Sequence, residues 1–304
     1  MTSQFKRQRS ALLSIIFTLT LAPHTLAQDE TTFGVEKITD NISMLYGATG
    51  FTGGNIAVSV GEDGVAVIDN GMSSVLDKLK AEIGKITDRP VDFLINTHVH
   101  GDHTGNNQAF GEAGTTLVSH RNLRDSMVVK GVGRGGEFVA ADDDALPVIT
   151  FNDEMTLNLN GDALRLIHPA RAHTDGDAVI HFMKSNVIHT GDVMFNGRFP
   201  YIDADNGGTL DGVIAALSTI YEMSDDNTKI IPGHGPVAGK ADVENTINML
   251  IDAKGLVAKL VQQGKGDDEI LAANPIEKYA EYNWGFITTE RMTKQLIRAA
   301  RGLE

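Results

Sequence analysis

Hydrophobic and polar positions divide the chain into two successive runs of short strands, each followed by helices. The segments "FGVEKIT", "NISMLYG", "NIAVSVG" and "GVAVIDN" are short apolar or alternating runs separated by Gly, Asn and Asp. They predict strands joined by tight turns. The period then changes: in "SSVLDKLKAEIGKI", Val75, Leu76, Leu79, Ile83 and Ile86 recur at helical spacing. "VDFLINT" follows as a buried strand. A short helix from about Asn107, a strand at "TTLVS" and a helix from about Arg121 come next. The Gly-rich, acidic span 131–146 reads as a loop, with Asp142, Asp143 and Asp144 on its solvated side. A second set of strands is predicted at "MTLNLN", "ALRLIH", "DAVIHFM" and "NVIHT". The helix "TLDGVIAALSTIYEM", the strand "TKIIP" and a long helix over about 243–263 complete it, and a helical tail from Asp267 is broken at Pro275. Two such sets suggest two sheets face to face with helices outside. Neither a repeat nor a Pro/Ser-rich linker divides the chain after its first residues, which favours one domain.

The first residues have a different logic. Lys6, Arg7 and Arg9 precede the apolar "ALLSIIFTLTLA", and Ala27 stands before "QDE". A basic start, a short apolar stretch and small residues at a cleavage point describe a secretory signal over residues 1–27, leaving a mature domain over 28–304. Its dozen apolar residues fall short of the roughly 20 that a spanning helix needs. The expected location is therefore periplasmic or secreted, without stable membrane insertion after the signal is removed. Net charge is −14 and the pI about 5.1, so nucleic acid is a poor partner and a small-molecule substrate the better expectation. Oligomeric state is left open. The chain has no cysteine, which excludes disulfides, a thiolate nucleophile and thiolate metal ligands. It has no G-x-S-x-G either, so a serine nucleophile has no support. "GVGRGG" at 131–136 satisfies G-x-G-x-x-G but follows no clear strand, and the dinucleotide reading fails on that context.

The chemistry concentrates in "NTHVHGDHTGN". Alternate strand residues point the same way, so His98 and His100 can aim two imidazoles at one point. Gly101 permits a sharp bend, and Asp102 and His103 follow on the loop. This cluster can serve one metal or divide between two. A catalytic zinc usually takes three protein ligands and keeps a place for water, so further ligands must come from elsewhere. Three later segments share one design, a strand end beside a Gly-containing turn: "ARAHTDGD" with His173, "VIHTGDVMF" with Asp192 and "IIPGHGPV" with His234.

In this five-part signature the chain resembles the metallo-β-lactamase superfamily, in its hydroxyacylglutathione-hydrolase-like branch, over about 33–263. The resemblance implies an α/β fold, a four-layer αβ/βα sandwich with the site at one edge of its sheets. It makes His98, His100 and His173 ligands of one metal and Asp102, His103 and His234 ligands of the other, with Asp192 bridging. The cofactor it implies is two Zn2+, although N and O donors also suit iron or manganese. Its implied activity is that of a hydrolase attacking an ester, thioester, lactone or lactam carbonyl with a metal-bound hydroxide, Asp102 orienting the nucleophile.

Three other readings stand beside it. Dedicated β-lactamases of the superfamily commonly lack an acid where this chain has Asp192, although an export signal suits one. Sulfur dioxygenases keep a similar motif around a single iron. A non-catalytic zinc-binding protein would hold metal without turnover. His168 lies five residues before His173, but "HTDGD" matches the family's turn, so His173 is preferred. His120, His181 and His189 read as structural or surface histidines. Substrate contacts are expected from Phe51 and Thr52 in "GATGFTGGN", and from Asn196, Arg198, Phe199 and Tyr201 in "FNGRFPYID".

Overall fold

The structure, a computed structural model, describes residues 31–134 and 137–304. The expected export segment 1–27, and Gly135 and Gly136 of the glycine-rich motif, lie outside them. The first sheet has the order β1-β2-β3-β4-β5-β6-β9. Its strands are β1 (Thr32–Lys37), β2 (Ile42–Thr49), β3 (Ile56–Val60), β4 (Val65–Ile68), β5 (Phe93–Ile95), β6 (Thr116–His120) and β9 (Ile149–Phe151). A separate hairpin, β7 (Val132–Arg134) with β8 (Glu137–Val139), stands apart from both sheets. The second sheet runs β10 (Glu154–Leu159), β11 (Asp162–Ile167), β12 (Val179–Phe182), β13 (Val187–Phe195) and β14 (Lys229–His234) in order.

Both sheets begin as antiparallel meanders and turn parallel through a helical crossover: α1 (Leu76–Ile86) joins β4 to β5, and five more helices follow it. These are α2 (Gly101–Thr104), α3 (Asn107–Gly111), α4 (Arg121–Lys130), α5 (Leu210–Met223), which joins β13 to β14, and α6 (Lys240–Gln262). Two more, α7 (Asp267–Ala273) and α8 (Thr289–Ala300), follow in the tail.

Strand alternation explains the layers. On β4, Val65 and Val67 face α1 with Leu79 and Ile83, whereas Ala66 and Ile68 face the opposite sheet. There they meet Leu164, Leu166, Ile180 and Ile231 of the second sheet in one apolar layer. The outer face of the second sheet packs Ile188 and Ile230 against Leu217, Leu250 and Leu296 of α5, α6 and α8. Helix, sheet, sheet, helix is the four-layer α/β sandwich expected from the sequence.

Several local expectations change. The pattern 131–146 contains the hairpin and a 3-10 turn at Asp143–Ala145, and the glycine motif follows α4 rather than opening a helix, which removes the dinucleotide reading structurally. Strand β9, three residues long and beginning two residues after Pro147, differs from the sequence expectation and completes the first sheet beside β6. Gly101 opens one helical turn instead of a bend, so Asp102 and His103 sit on α2. β13 does not stop at Thr190 but runs to Phe195, with Gly191 at φ 51° shifting the register where it pairs with β14. Among the described residues, no helix is long and apolar enough to cross a membrane.

Candidate metal centre

At one edge where the two sheets meet, seven side chains converge. His98 and His100 lie just past β5, Asp102 and His103 on α2, His173 on the β11–β12 loop, Asp192 within β13 and His234 at the end of β14. All but His100 are buried. Glycines make the room: a Cβ at Gly54 would strike the His103 ring, and one at Gly233 would strike Asp192 Oδ1.

The orientations of four of the five rings follow from hydrogen bonds on the far side of the imidazole, His234 being held instead by stacking on Phe195 and Trp284. Thr97 Oγ1 donates to Asp69 Oδ2 at 2.7 Å, so it can only accept from His98 Nδ1 at 3.0 Å. His103 Nδ1 donates to the same Asp69 oxygen at 2.7 Å. His173 Nδ1 donates to the Tyr201 carbonyl at 2.8 Å, and His100 Nε2 donates to Asp203 Oδ2 at 2.7 Å. Each bond puts the ring proton outward and leaves a lone pair facing the centre, the arrangement that outer partners impose on metal-binding histidines.

Those inward atoms form two groups around Asp192. His98 Nε2 and His173 Nε2 lie 3.1 and 3.0 Å from His100 Nδ1, and each is 3.7 Å from Asp192 Oδ2. On the other side, His103 Nε2 and His234 Nε2 lie 3.1 and 3.4 Å from Asp192 Oδ1, and 3.9 and 3.5 Å from Asp102 Oδ2. Zinc–nitrogen and zinc–oxygen bonds of about 2.0–2.2 Å at tetrahedral angles put neighbouring ligand atoms about 3.4 Å apart. The observed separations cluster around that value. His103 Nε2 and Asp192 Oδ1 are buried and close, yet aligned for no hydrogen bond with any group, as expected of atoms aimed at a common third point. The cluster is therefore capable of holding metal in two adjoining positions, and the donors present fit the ion.

Electrostatics agree. Burial, with His103 beside it, holds His98 well below the usual imidazole range, and burial takes His173 down to about 4, so both are neutral near pH 7. Burial also acts on His103, but the carboxylates of Asp192 and Asp69 override it and raise its pKa well above the usual imidazole range, so the pocket favours a proton or a metal ion at Nε2. Burial opposes ionisation of Asp102 and Asp192 too; His234 and His103 overcome it, and both remain carboxylates.

The centre opens into a cavity of about 520 Å³. Phe51 and Tyr201 line it, as expected from the sequence, together with Trp284, Phe286 and Arg291 from the tail. Arg198 lies in an adjoining cavity of about 400 Å³ that shares Phe51 and His234, and Thr52 lines it as well. Asn196 lines neither: its amide donates to the carbonyls of Pro236 and Val237 at 3.1 and 3.4 Å and shapes the turn after His234. Phe199 is a fully buried packing residue. His168 is kept from the centre by stacking on His120, ring centroids 3.7 Å apart. His189 is buried and donates to the Asn55 carbonyl at 3.2 Å, and His181 lies on β12 away from the ligands. Asp69 and Asp203, which orient three of the ligands through Thr97, His103 and His100, were not expected from the sequence. Their only signal is position, a carboxylate just past a strand in "VIDN" and one in "YIDAD".

A four-layer αβ/βα fold with a histidine–aspartate centre at the edge of its sheets defines a class of metal-dependent proteins. Residues 49–234, which span the whole ligand set, match the Metallo-beta-lactamase superfamily, and the chain belongs to it. It is 25% identical over 209 residues to a hydroxyacylglutathione hydrolase of Nitrosococcus oceani, covering 67% of this chain and 65% of that protein. It is 22% identical over 253 residues to a linear primary-alkylsulfatase of a Pseudomonas species, covering 69% of this chain and 47% of that protein. The chain thus spans less than two thirds of the length of these relatives. Among solved structures, a metallo-beta-lactamase from Pontibacter korlensis superposes with a TM-score of 0.61 at 18% identity, over 73% of this chain and all of that one.

Proposed function

We propose that this protein is an exported, dinuclear zinc-dependent hydrolase acting on the carbonyl of an ester, thioester, lactone or lactam. The observation that carries the reading is the division of Asp192: one oxygen faces His98, His100 and His173, the other faces Asp102, His103 and His234. Six side chains around a shared carboxylate exceed what one ion needs. Such ions, when bound, ionise water near neutral pH and polarise a carbonyl oxygen.

The chain's own residues set the geometry for that chemistry. Asp102 stays ionised and lines the cavity, so it accepts a hydrogen bond from an attacking water and fixes its orientation while it serves as a ligand. Phe195 and Trp284 stack on His234 at 5.2 and 6.0 Å, and Phe51 stacks on it at 6.0 Å. This apolar collar limits water around the reacting group, which strengthens the electrostatic contacts within it. Export rests on the basic-then-apolar start of the chain. Sulfate-ester hydrolysis is the second reading, favoured by the similarity to an alkylsulfatase.

The test combines metal analysis with kinetics. Natively purified protein should carry about two zinc ions per chain. It should turn over at least one member of a panel of lactone, thioester, alkyl sulfate and β-lactam substrates. Asp102→Asn should lower kcat far more than it raises KM, because orientation of the nucleophile matters most in the transition state. Near-wild-type kcat in Asp102→Asn with both metals bound would refute this role.

A further inference from the structure

The ligand set accounts for one wall of the cavity, and the tail supplies the other. Trp284 is anchored by its indole N–H, which donates to the Phe199 carbonyl at 2.9 Å, and the Phe199 amide donates to the Tyr282 carbonyl at 2.8 Å. Phe286, 36% exposed, packs on Trp284 at 5.7 Å and edge-on to Tyr201 at 5.4 Å. Tyr201 in turn lies 6.0 Å from the ring of His100. An aromatic surface therefore runs from the centre to the mouth of the cavity.

Arg291 sits at its outer end. Its guanidinium lies 3.8 Å over the Phe286 ring and 5.6 Å from Tyr201, and it donates to the Phe286 carbonyl at 3.2 Å. Among the described residues it has no carboxylate partner. The nearby acids are otherwise engaged: Asp203 with His100 and Asn206, Asp205 with Arg298 at 3.4 Å. Lys130, on the same cavity, is held by Asn206. A guanidinium stacked on aromatic rings keeps its in-plane N–H donors free for a planar anion. Arg198, which also has no carboxylate partner among the described residues, lies 5.5 Å over the other aromatic ring, Trp284, but lines the adjoining cavity instead of this one.

We propose that Arg291 is the residue by which this site selects substrates bearing a second, anionic group, a carboxylate, distal to the bond that is cleaved. The apolar spacer between the two groups lies on Tyr201, Trp284 and Phe286. This deepens the hydrolase reading and rests on it for the reacting end, but not for the recognition step.

The chain's single tryptophan is Trp284, so its fluorescence reports occupancy of this wall directly. Zinc-loaded protein is titrated with 4-phenylbutyrate and with the neutral 4-phenylbutyramide, as wild type, Arg291→Ala and Arg291→Lys. Wild type should prefer the carboxylate by about 10–100-fold, the scale of a charged hydrogen-bonded pair. In Arg291→Ala the preference should collapse to near unity, and in Arg291→Lys part of it should return. A preference that persists in Arg291→Ala overturns the proposal, because the carboxylate would then be binding elsewhere, including at the metals. An equal loss for both ligands also overturns it, as a purely structural effect. In a parallel arm, thioesters with and without a distal carboxylate should show the same collapse in their ratio of kcat/KM. If no thioester is hydrolysed while the Arg291-dependent binding preference holds, the carbonyl-hydrolase reading fails and the recognition stands.

Discussion

Replacing Asp69 by asparagine changes one oxygen to an amide nitrogen in a fully buried position. Asp69 accepts from the Thr97 amide at 2.8 Å, from Thr97 Oγ1 at 2.7 Å and from His103 Nδ1 at 2.7 Å. The oxygen that takes the last two is the one that sets tautomers. With an NH2 in its place, His103 Nδ1 must accept instead of donate, which moves the ring proton to Nε2, facing the centre. The Thr97 hydroxyl, no longer able to donate to Asp69, turns to His98 Nδ1 and reverses that ring as well. One substitution thus turns a ligand lone pair into an N–H on each side of Asp192. Restoring the binding tautomers costs the charged hydrogen bonds, about 1.5–3 kcal/mol each, or roughly 10–150-fold in affinity at each position. Competition titration against a fluorescent zinc chelator measures both constants, and urea unfolding of the chelator-treated protein separates damage to the fold from damage to the ligands. If Asp69→Asn holds two zinc ions with wild-type affinity, the tautomer argument is wrong.

Three further outcomes follow from the geometry. Gly54→Ala drives a methyl group into a His103 ring already pinned by Asp69, so it should lose metal and about 1–3 kcal/mol of stability, read from metal content and urea midpoints. His120 Nδ1 accepts from the Asn122 amide at 3.2 Å as the N-cap of α4, and burial, with His168 stacked beside it, lowers its pKa to about 4. The unfolded chain binds that proton near pH 6.5, so the unfolded state holds more protons between about 6.5 and 4 and stability falls as pH drops through this window. His120→Asn keeps a capping acceptor without titrating and should flatten that part of the urea-midpoint profile. Removing metal with a chelator should lower Tm, because only the folded chain assembles the site, and adding zinc should restore it in a concentration-dependent way.

What could be read from the sequence was decided by how local each signal is. His98, His100, Asp102 and His103 fall within six residues, and His173, Asp192 and His234 each lie within three residues of a glycine, so their chemistry shows in short stretches. The alternation on β3 and β4 likewise exposes both faces of a strand within a few residues. Asp69 and Asp203 act through partners 28 to 103 positions away, and no motif marks them. Arg291 owes its role to Phe286 and Tyr201, brought beside it by the tail. Strand β9 is too short to alternate visibly and gains its place only by pairing with β6. Asn196 was expected to face substrate because it closely follows Asp192, but the turn after β13 aims its amide at backbone instead.

Apart from Tyr201, the aromatic wall comes from a part of the chain that contributes nothing to the histidine–aspartate cluster. Every ligand lies within 49–234, whereas Trp284, Phe286 and Arg291 lie beyond it. The cluster and the tail side of the cavity are therefore carried on separate stretches of polypeptide, joined through the Phe199 carbonyl and the packing of α8 on the second sheet. A change at Trp284, Phe286 or Arg291 is therefore expected to alter what the cavity accepts while leaving every side chain of the cluster in place.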